Sequence, residues 1–240
     1  MLAEGPGNAW SAGEPTDNVR TVSRSAADIP TAITRRFWDA HSKGWDEIRA
    51  QPAGQVYIAA SIDKLVVVLP PRASVIDLGC GPGHHSAAIA GRGLRVTGVD
   101  YSSRMLERAR AKHPGVIYSQ ADLNYPDTLP SGPFDGALCV SVLQFIADPA
   151  ALLRRVHDIL VPGGHFLIEV SSRPCVLSDD RYLGLRDRAI NQFKRKLAQL
   201  PGIVRPYDAA SLAGLIRAAG FTLVGSPSDY ATIVVLASRS

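Results

Sequence analysis

Residues 75–100 read VIDLGCGPGHHSAAIAGRGLRVTGVD: an apolar run, three glycines at Gly79, Gly81 and Gly83, a short small-residue stretch, a second apolar run and a closing Asp100. A continuous apolar run that stops at a turn signal is what a strand buried on both faces looks like. The glycines leave two readings open. They make a tight strand-to-helix turn, or they keep side chains away from a backbone that another molecule approaches.

Outward from this unit the same rhythm repeats. SSRMLERARAKHPG (102–115) predicts a helix opened by a serine cap and stopped at His113-Pro114-Gly115. VIYSQAD (116–122) and FDGALCVSVLQFI (134–146) predict strands, and DPAALLRRVHDILVPGG (148–164) predicts a helix with Asp148 at its N-cap, Pro149 at its first position and Gly163-Gly164 past its end. HFLIEV (165–170), the capped helix DAASLAGLIRAAG (208–220) and a closing pair of strands in FTLVGSP and YATIVVLAS complete the pattern. Such βαβα alternation implies an α/β fold with a mostly parallel sheet and helices on both faces. In such sheets ligands bind beyond the carboxyl ends of the strands. That places 77–84, 100–102, 121–123 and 140–145 on one rim.

With 240 residues, 46% of them hydrophobic and 20% charged, the chain has material for one globular core plus decoration. Residues 1–28 are rich in Gly, Ala, Ser and Pro and read as a flexible tail, 29–72 as a helical N-terminal cap, and 73–240 as the core. An insertion at about 172–206 is far longer than an ordinary connection, and its mixed apolar and basic spacing predicts a helical lid. A net charge of +4 is mild; it permits an acidic substrate or nucleic acid but is weak evidence for either, because the basic residues are not gathered into one run. The three cysteines have no metal-ligand spacing, so no metal site is expected, and they point to a reducing compartment. With no apolar run long enough to span a bilayer, a cytoplasmic protein is expected.

The dinucleotide pattern G-x-G-x-x-G fails, because His84 stands where its third glycine belongs, and no Lys-Ser or Lys-Thr pair makes a phosphate loop. What stands instead is D-x-G-x-G-x-G from Asp77, followed in order by Asp100, Asp122 and LVPGGHFLIEV. That series resembles the class I S-adenosylmethionine-dependent methyltransferases over about 57–170, weakly extending to 207–239. The cap RRFWDAHSKGWDEI (35–48) is similar to that of their ubiquinone and menaquinone biosynthesis branch. The resemblance implies a Rossmann-like, seven-stranded sheet of order 3-2-1-4-5-7-6 with its last strand antiparallel. It implies S-adenosylmethionine as cofactor, S-adenosylhomocysteine as product and a small-molecule methyl acceptor attacked at O, N or C.

The residues take roles accordingly. The loop Gly79, Cys80, Gly81 and Gly83 would let the cofactor's methionyl part come close, and the match at Asp77 implies help in orienting it. Asp100, at a strand end, can accept from two ribose hydroxyls, the logic of the ribose-reading acid in dinucleotide folds. Tyr101 and Met105 are candidate walls for the adenine. Ala121, Asp122 and Leu123 match the family's adenine contacts, Asp122 meeting the amino group. Val140 and Ser141 would border the methionyl group. The family often carries histidines where Gln144-Phe145 stand, and a glutamine can hydrogen-bond but not take a proton. His41 and His84 are candidates with no assigned role, and no catalytic base is named. Other readings remain: a different reaction on the same fold, a regulatory cofactor binder, or a nucleic-acid methyltransferase, the last weakened by the absence of an NPPY-like signature at SVLQ (141–144). The oligomeric state is not readable.

Overall fold

The computed structural model describes residues 28–171, 205, 207–227 and 232–240. The expected tail and nearly all of the expected lid lie outside them. Of the lid region, Arg205 donates its backbone N–H to Gln144 O (2.7 Å) and its guanidinium to Ala147 O (3.1 Å).

Two helices, α1 (Asp28–Ala50) and α2 (Pro52–Val66), precede the sheet. Then come β1 (Ser74–Leu78), α3 (His84–Ala90), β2 (Arg95–Asp100), α4 (Ser103–Lys112) and β3 (Ile117–Gln120). They are followed by β4 (Phe134–Val140), α5 (Pro149–Ile159), β5 (Leu160–Ser171), α6 (Ala209–Ala218), β6 (Phe221–Leu223) and β7 (Thr232–Arg239). The seven strands form one sheet in the order β3-β2-β1-β4-β5-β7-β6. β1 to β5 run parallel, and β7 is antiparallel to both its neighbours, β5 and β6.

Alternation along the central strands divides the core in two. Val75, Leu138 and Leu167 face one way, onto Ile62 and Leu65 of α2, Ile89 of α3 and Leu106 of α4. Ile76, Ala137, Phe166 and Ile168 face the other, onto Leu152, Leu153 and Val156 of α5 and Leu212 and Ile216 of α6. Because both faces are covered, these strands need apolar residues at every position. Each fully buried aliphatic side chain contributes about 1.5–3 kcal/mol.

The caps are where the sequence puts them. Ser102 Oγ accepts from Met105 N, Asp148 from Ala151 N, and Asp208 forms a capping box with Ser211. Some boundaries differ. β4 ends at Val140 rather than at Ile146, because Ser141 turns to a φ of 59° and Leu143–Phe145 form a 3-10 turn. α5 ends at Ile159, and β5 begins at Leu160 rather than at His165. Leu160 is fully buried opposite Phe134, and pairing resumes at Gly136 and His165, so residues 161–164 form an irregularity within the strand rather than a helix exit. Pro162 and the positive φ of Gly163 (77°) suit that bulge as well as they would suit a helix stop.

Candidate active site

The tips of β1 to β4 and one face of α1 enclose an open cleft of about 890 Å³, its mouth included. The glycine loop hangs over its floor, with the N–H groups of Gly79 and Cys80 both donating to Val99 O at the end of β2 (2.8 and 2.9 Å). All three glycines have positive φ, but they serve different ends. A Cβ on Gly79 would stand 2.5 Å from a Val142 methyl, and one on Gly83 would run into the Tyr118 hydroxyl. Those two are demanded by the protein's own packing. A Cβ on Gly81 would meet nothing within 4 Å, and this residue lines the cleft. Both readings of the glycine cluster therefore hold, divided among its members, and Gly81 is the position that leaves backbone open to a ligand.

Asp100 sits at the end of β2, 7% exposed, with its carboxylate accepting from Gly81 N (2.9 Å) and Ser102 N (2.8 Å). Burial pushes its carboxyl up to about 6, against the pull of those two N–H donors. A carboxylate has lone pairs for about four donors, so these contacts leave it capacity to accept from a ligand. Asp122, past β3, is held by Arg35 of α1 (3.1 Å) and accepts from Asn124 N (3.1 Å). Asp77 does not line the cleft: it lies under the loop, where Ser86 Oγ donates to it at 2.6 Å. Burial raises its carboxyl to about 7, with the Asp100 charge adding to the effect and the Ser86 hydroxyl opposing it.

Helix α1 forms the roof. Thr34, Trp38, Trp45 and Arg49 line the cleft, a helical spacing that puts all four on one stripe. On the neighbouring stripe Asp46, 1% exposed, receives His84 Nε2 (2.9 Å), Lys112 Nζ (2.7 Å) and Arg108 (3.5 Å). Burial alone would raise its carboxyl, but hydrogen bonds from Lys112 and His84 outweigh that and leave it below the usual range. His41 does not line the cleft; its Nδ1 lies 2.8 Å from Phe37 O.

At the far end, Val140, Ser141, Val142, Phe145 and His85 line the wall. Ser141 has a φ of 59°, rare for a residue with a side chain, and its N–H donates to Glu169 O on β5 (2.8 Å). Behind it the buried carboxylate of Glu169 accepts from the hydroxyls of Tyr57 and, at 2.8 Å, Ser61. His85 Nε2 is buried without a hydrogen-bond partner among the described residues, and burial, then the Arg49 and His84 charges, lower its imidazole to about 3.

Of the residues expected from sequence, Gly79, Cys80, Gly81, Asp100, Tyr101, Met105, Ala121, Asp122, Leu123, Val140 and Ser141 come together around the cleft. Asp77, Gly83 and Gln144 do not line it. Gln144 has a buried Oε1 without a partner among the described residues, and its backbone O is taken by Arg205. Sequence reasoning passed over Thr34, Arg49, Asn124 and Ile146. The 34, 38, 45, 49 periodicity was the available signal for the first two. The cleft fits an adenosyl-sulfonium compound: an open glycine backbone, a rim carboxylate with free lone pairs, and apolar Met105, Leu123 and Ile146 for a flat base. Asp100 would hold the sugar and Gly81 would face the amino-acid end.

No helix among the described residues is long and apolar enough to cross a membrane. The ubiquinone biosynthesis O-methyltransferase of Xanthomonas axonopodis pv. citri (strain 306) is 29% identical to this chain over 157 residues, 62% of each chain. The trans-aconitate 2-methyltransferase of Azoarcus sp. (strain BH72) is 37% identical over 129 residues, 52% of this chain and 50% of that one. The chain thus spans 62% and half of the length of these two relatives. Among solved structures, an S-adenosylmethionine-dependent methyltransferase from Mesorhizobium loti is 26% identical with a TM-score of 0.59, over 75% of this chain and 98% of that one. A family model described as a methyltransferase domain matches residues 51–226. On that match and on its sheet order, the chain belongs to the methyltransferase domain family, of the class I S-adenosylmethionine-dependent type.

Proposed function

We propose that the chain transfers a methyl group from S-adenosylmethionine to a small-molecule acceptor. The observation that carries this reading is Asp100, a rim carboxylate that accepts from Gly81, the member of the glycine loop whose missing side chain leaves open space in the cleft. The cofactor supplies a methyl carbon already bonded to a good leaving group. The acceptor's lone pair forms the new bond as the carbon–sulfur pair returns to a neutral thioether, and the acceptor's proton leaves to solvent or a base. The protein's task is alignment, which is worth roughly 7–11 kcal/mol in favourable cases.

In this reading Asp100 binds the ribose, Asp122 with Leu123 the adenine, Gly79 to Gly81 the amino-acid end, and Val140 and Ser141 the region where methyl and acceptor meet. Asp77 acts from below, fixing the loop through Ser86. His85, held near 3, keeps no proton at neutral pH and positions a ligand rather than serving as a base. His84 is committed to Asp46. This supports an acceptor that needs no strong base, such as an amine or a group already ionised.

A single Lys or Arg, Arg49, lines the cleft among the described residues, which supports a small acceptor over a polynucleotide, whose phosphates call for several cations. The buried free thiols of Cys80 and Cys139 support a reducing, cytoplasmic setting. The test has two steps. Titration with S-adenosylhomocysteine should give measurable heat and thermal protection. Labelled methyl from S-adenosylmethionine should then enter a small molecule of a metabolite extract, identified by mass. Absence of binding would overturn the reading.

A further inference from the structure

Arg49 lies in the last turn of α1, at the corner with α2, where Gln55 Nε2 donates to its backbone O (2.7 Å). A Cβ on Gly54 would stand 2.6 Å from that same oxygen, so the corner closes tightly only because residue 54 has no side chain. The guanidinium carbon lies 4.8 Å from the ring centroid of Trp45 and 4.4 Å from that of Tyr57. Stacking of this kind uses the flat faces of the group and leaves its N–H edges for a planar partner.

Those edges have no partner among the described residues, whereas Arg35, Arg92 and Arg108 all reach a carboxylate. The buried acid on the other side of Tyr57, Glu169, is engaged by the Tyr57 and Ser61 hydroxyls. His85, whose ring centroid lies 6.0 Å from that of Tyr57, also lines the cleft, and its buried Nε2 too has no partner among the described residues. A half-buried cation with unused donors and a neutral imidazole that, in its Nε2–H tautomer, has a donor to spare describe the complement of one oxyanion. A carboxylate matches the fork with two parallel bonds. A phosphate group, carrying more charge, would call for a second cation, and none lines the cleft among the described residues.

We propose that Arg49, backed by the Trp45 and Tyr57 rings, is the carboxylate-recognising residue of the cleft, with His85 Nε2 as its second, uncharged contact. This rests on the cofactor reading above for one of its two sources. The carboxylate belongs either to the amino-acid end of the cofactor or to the methyl acceptor.

Calorimetry on wild type, Arg49→Met and Arg49→Lys separates them. S-adenosylhomocysteine carries the carboxylate; 5′-methylthioadenosine keeps the nucleoside and sulfur without it. If the cofactor is the source, Arg49→Met weakens S-adenosylhomocysteine at least tenfold and leaves 5′-methylthioadenosine unchanged. If the acceptor is the source, both nucleosides bind Arg49→Met as they bind wild type. Protein saturated with S-adenosylhomocysteine then binds at least one member of a panel of aliphatic and aromatic carboxylates tenfold tighter than its amide, and Arg49→Met removes that preference. Arg49→Lys keeps charge without the fork and recovers only part of either effect.

Equal weakening of both nucleosides, or no change in any of these comparisons, overturns the proposal. A wild type that binds neither nucleoside instead overturns the cofactor reading, and the carboxylate and amide panel then decides Arg49 alone.

Discussion

Asp46 Oδ1 lies 2.9 Å from His84 Nε2, which fastens the C-terminal part of α1 to the first residue of α3, directly after the glycine loop. Lys112 and Arg108 of α4 grip the same carboxylate. The roof of the cleft is therefore tied to its floor through one buried acid.

Asp46→Ala leaves a buried imidazole and two cations without their partner. Breaking a buried pair costs about 3–5 kcal/mol, and the partial exposure of Lys112 and Arg108 brings the expected loss down to about 2–3 kcal/mol. Urea denaturation measures it. Affinity for S-adenosylhomocysteine should fall with it, since Thr34 and Trp38 ride on the same helix. Wild-type values for both would remove the fastening role of Asp46.

Asp100→Asn tests the ribose contact. Two hydrogen bonds to a charged group are worth about 1.5–3 kcal/mol each, so affinity should drop by roughly a hundredfold or more. In wild type the carboxyl takes up a proton as pH falls through about 6, so binding should weaken below that point and level off above about 7. A flat affinity profile from pH 5 to 8 would contradict the assignment.

Asp77→Asn should stabilise the protein at alkaline pH. The folded carboxyl, raised to about 7 from 3.8, holds a proton that the unfolded chain has lost, so wild-type stability falls as pH rises from about 4 to about 7 and then stays level. An asparagine can still accept from Ser86 without that penalty. The expected gain is on the order of 2–4 kcal/mol at pH 8, shrinking to nothing near pH 4. Thermal melts across this range that show no pH-dependent difference would refute it.

Gly79→Ala and Gly81→Ala should part company. Gly81→Ala carries only the left-handed backbone strain of about 1–2 kcal/mol, and its methyl enters open cleft, so the fold survives while ligand affinity falls tenfold or more. Gly79→Ala adds a collision with Val142 and should cost about 2–4 kcal/mol in stability. Equal melting temperatures for the two variants would sink this division.

The sheet was legible because strands covered on both faces are mainly apolar, and SVIDL and FLIEV are short apolar runs interrupted by a single carboxylate each. Asp100 and Asp122 were legible by rank, each closing a strand on the same rim. Which way a side chain turns was not. Asp77 stands within the same strand-end motif, yet the sheet's two-residue period carries it under the loop to Ser86. The start of β5 was hidden because Pro162 and Gly163-Gly164 serve a bulge and a helix stop equally. Arg49 was missed because a basic residue in a helix's last turn reads as ordinary capping charge. Its stacking on Tyr57 depends on how two helices meet.

The sheet order has a consequence for synthesis. β7 lies between β5 and β6 although the ribosome makes it after both. A nascent chain that has not yet delivered residues 232–239 holds β6 with no neighbour and β5 with a bare flank of unpaired amides and carbonyls. During that interval the growing polypeptide offers a strand-shaped gap, and a chaperone or any stray extended segment competes for it until the rightful occupant arrives.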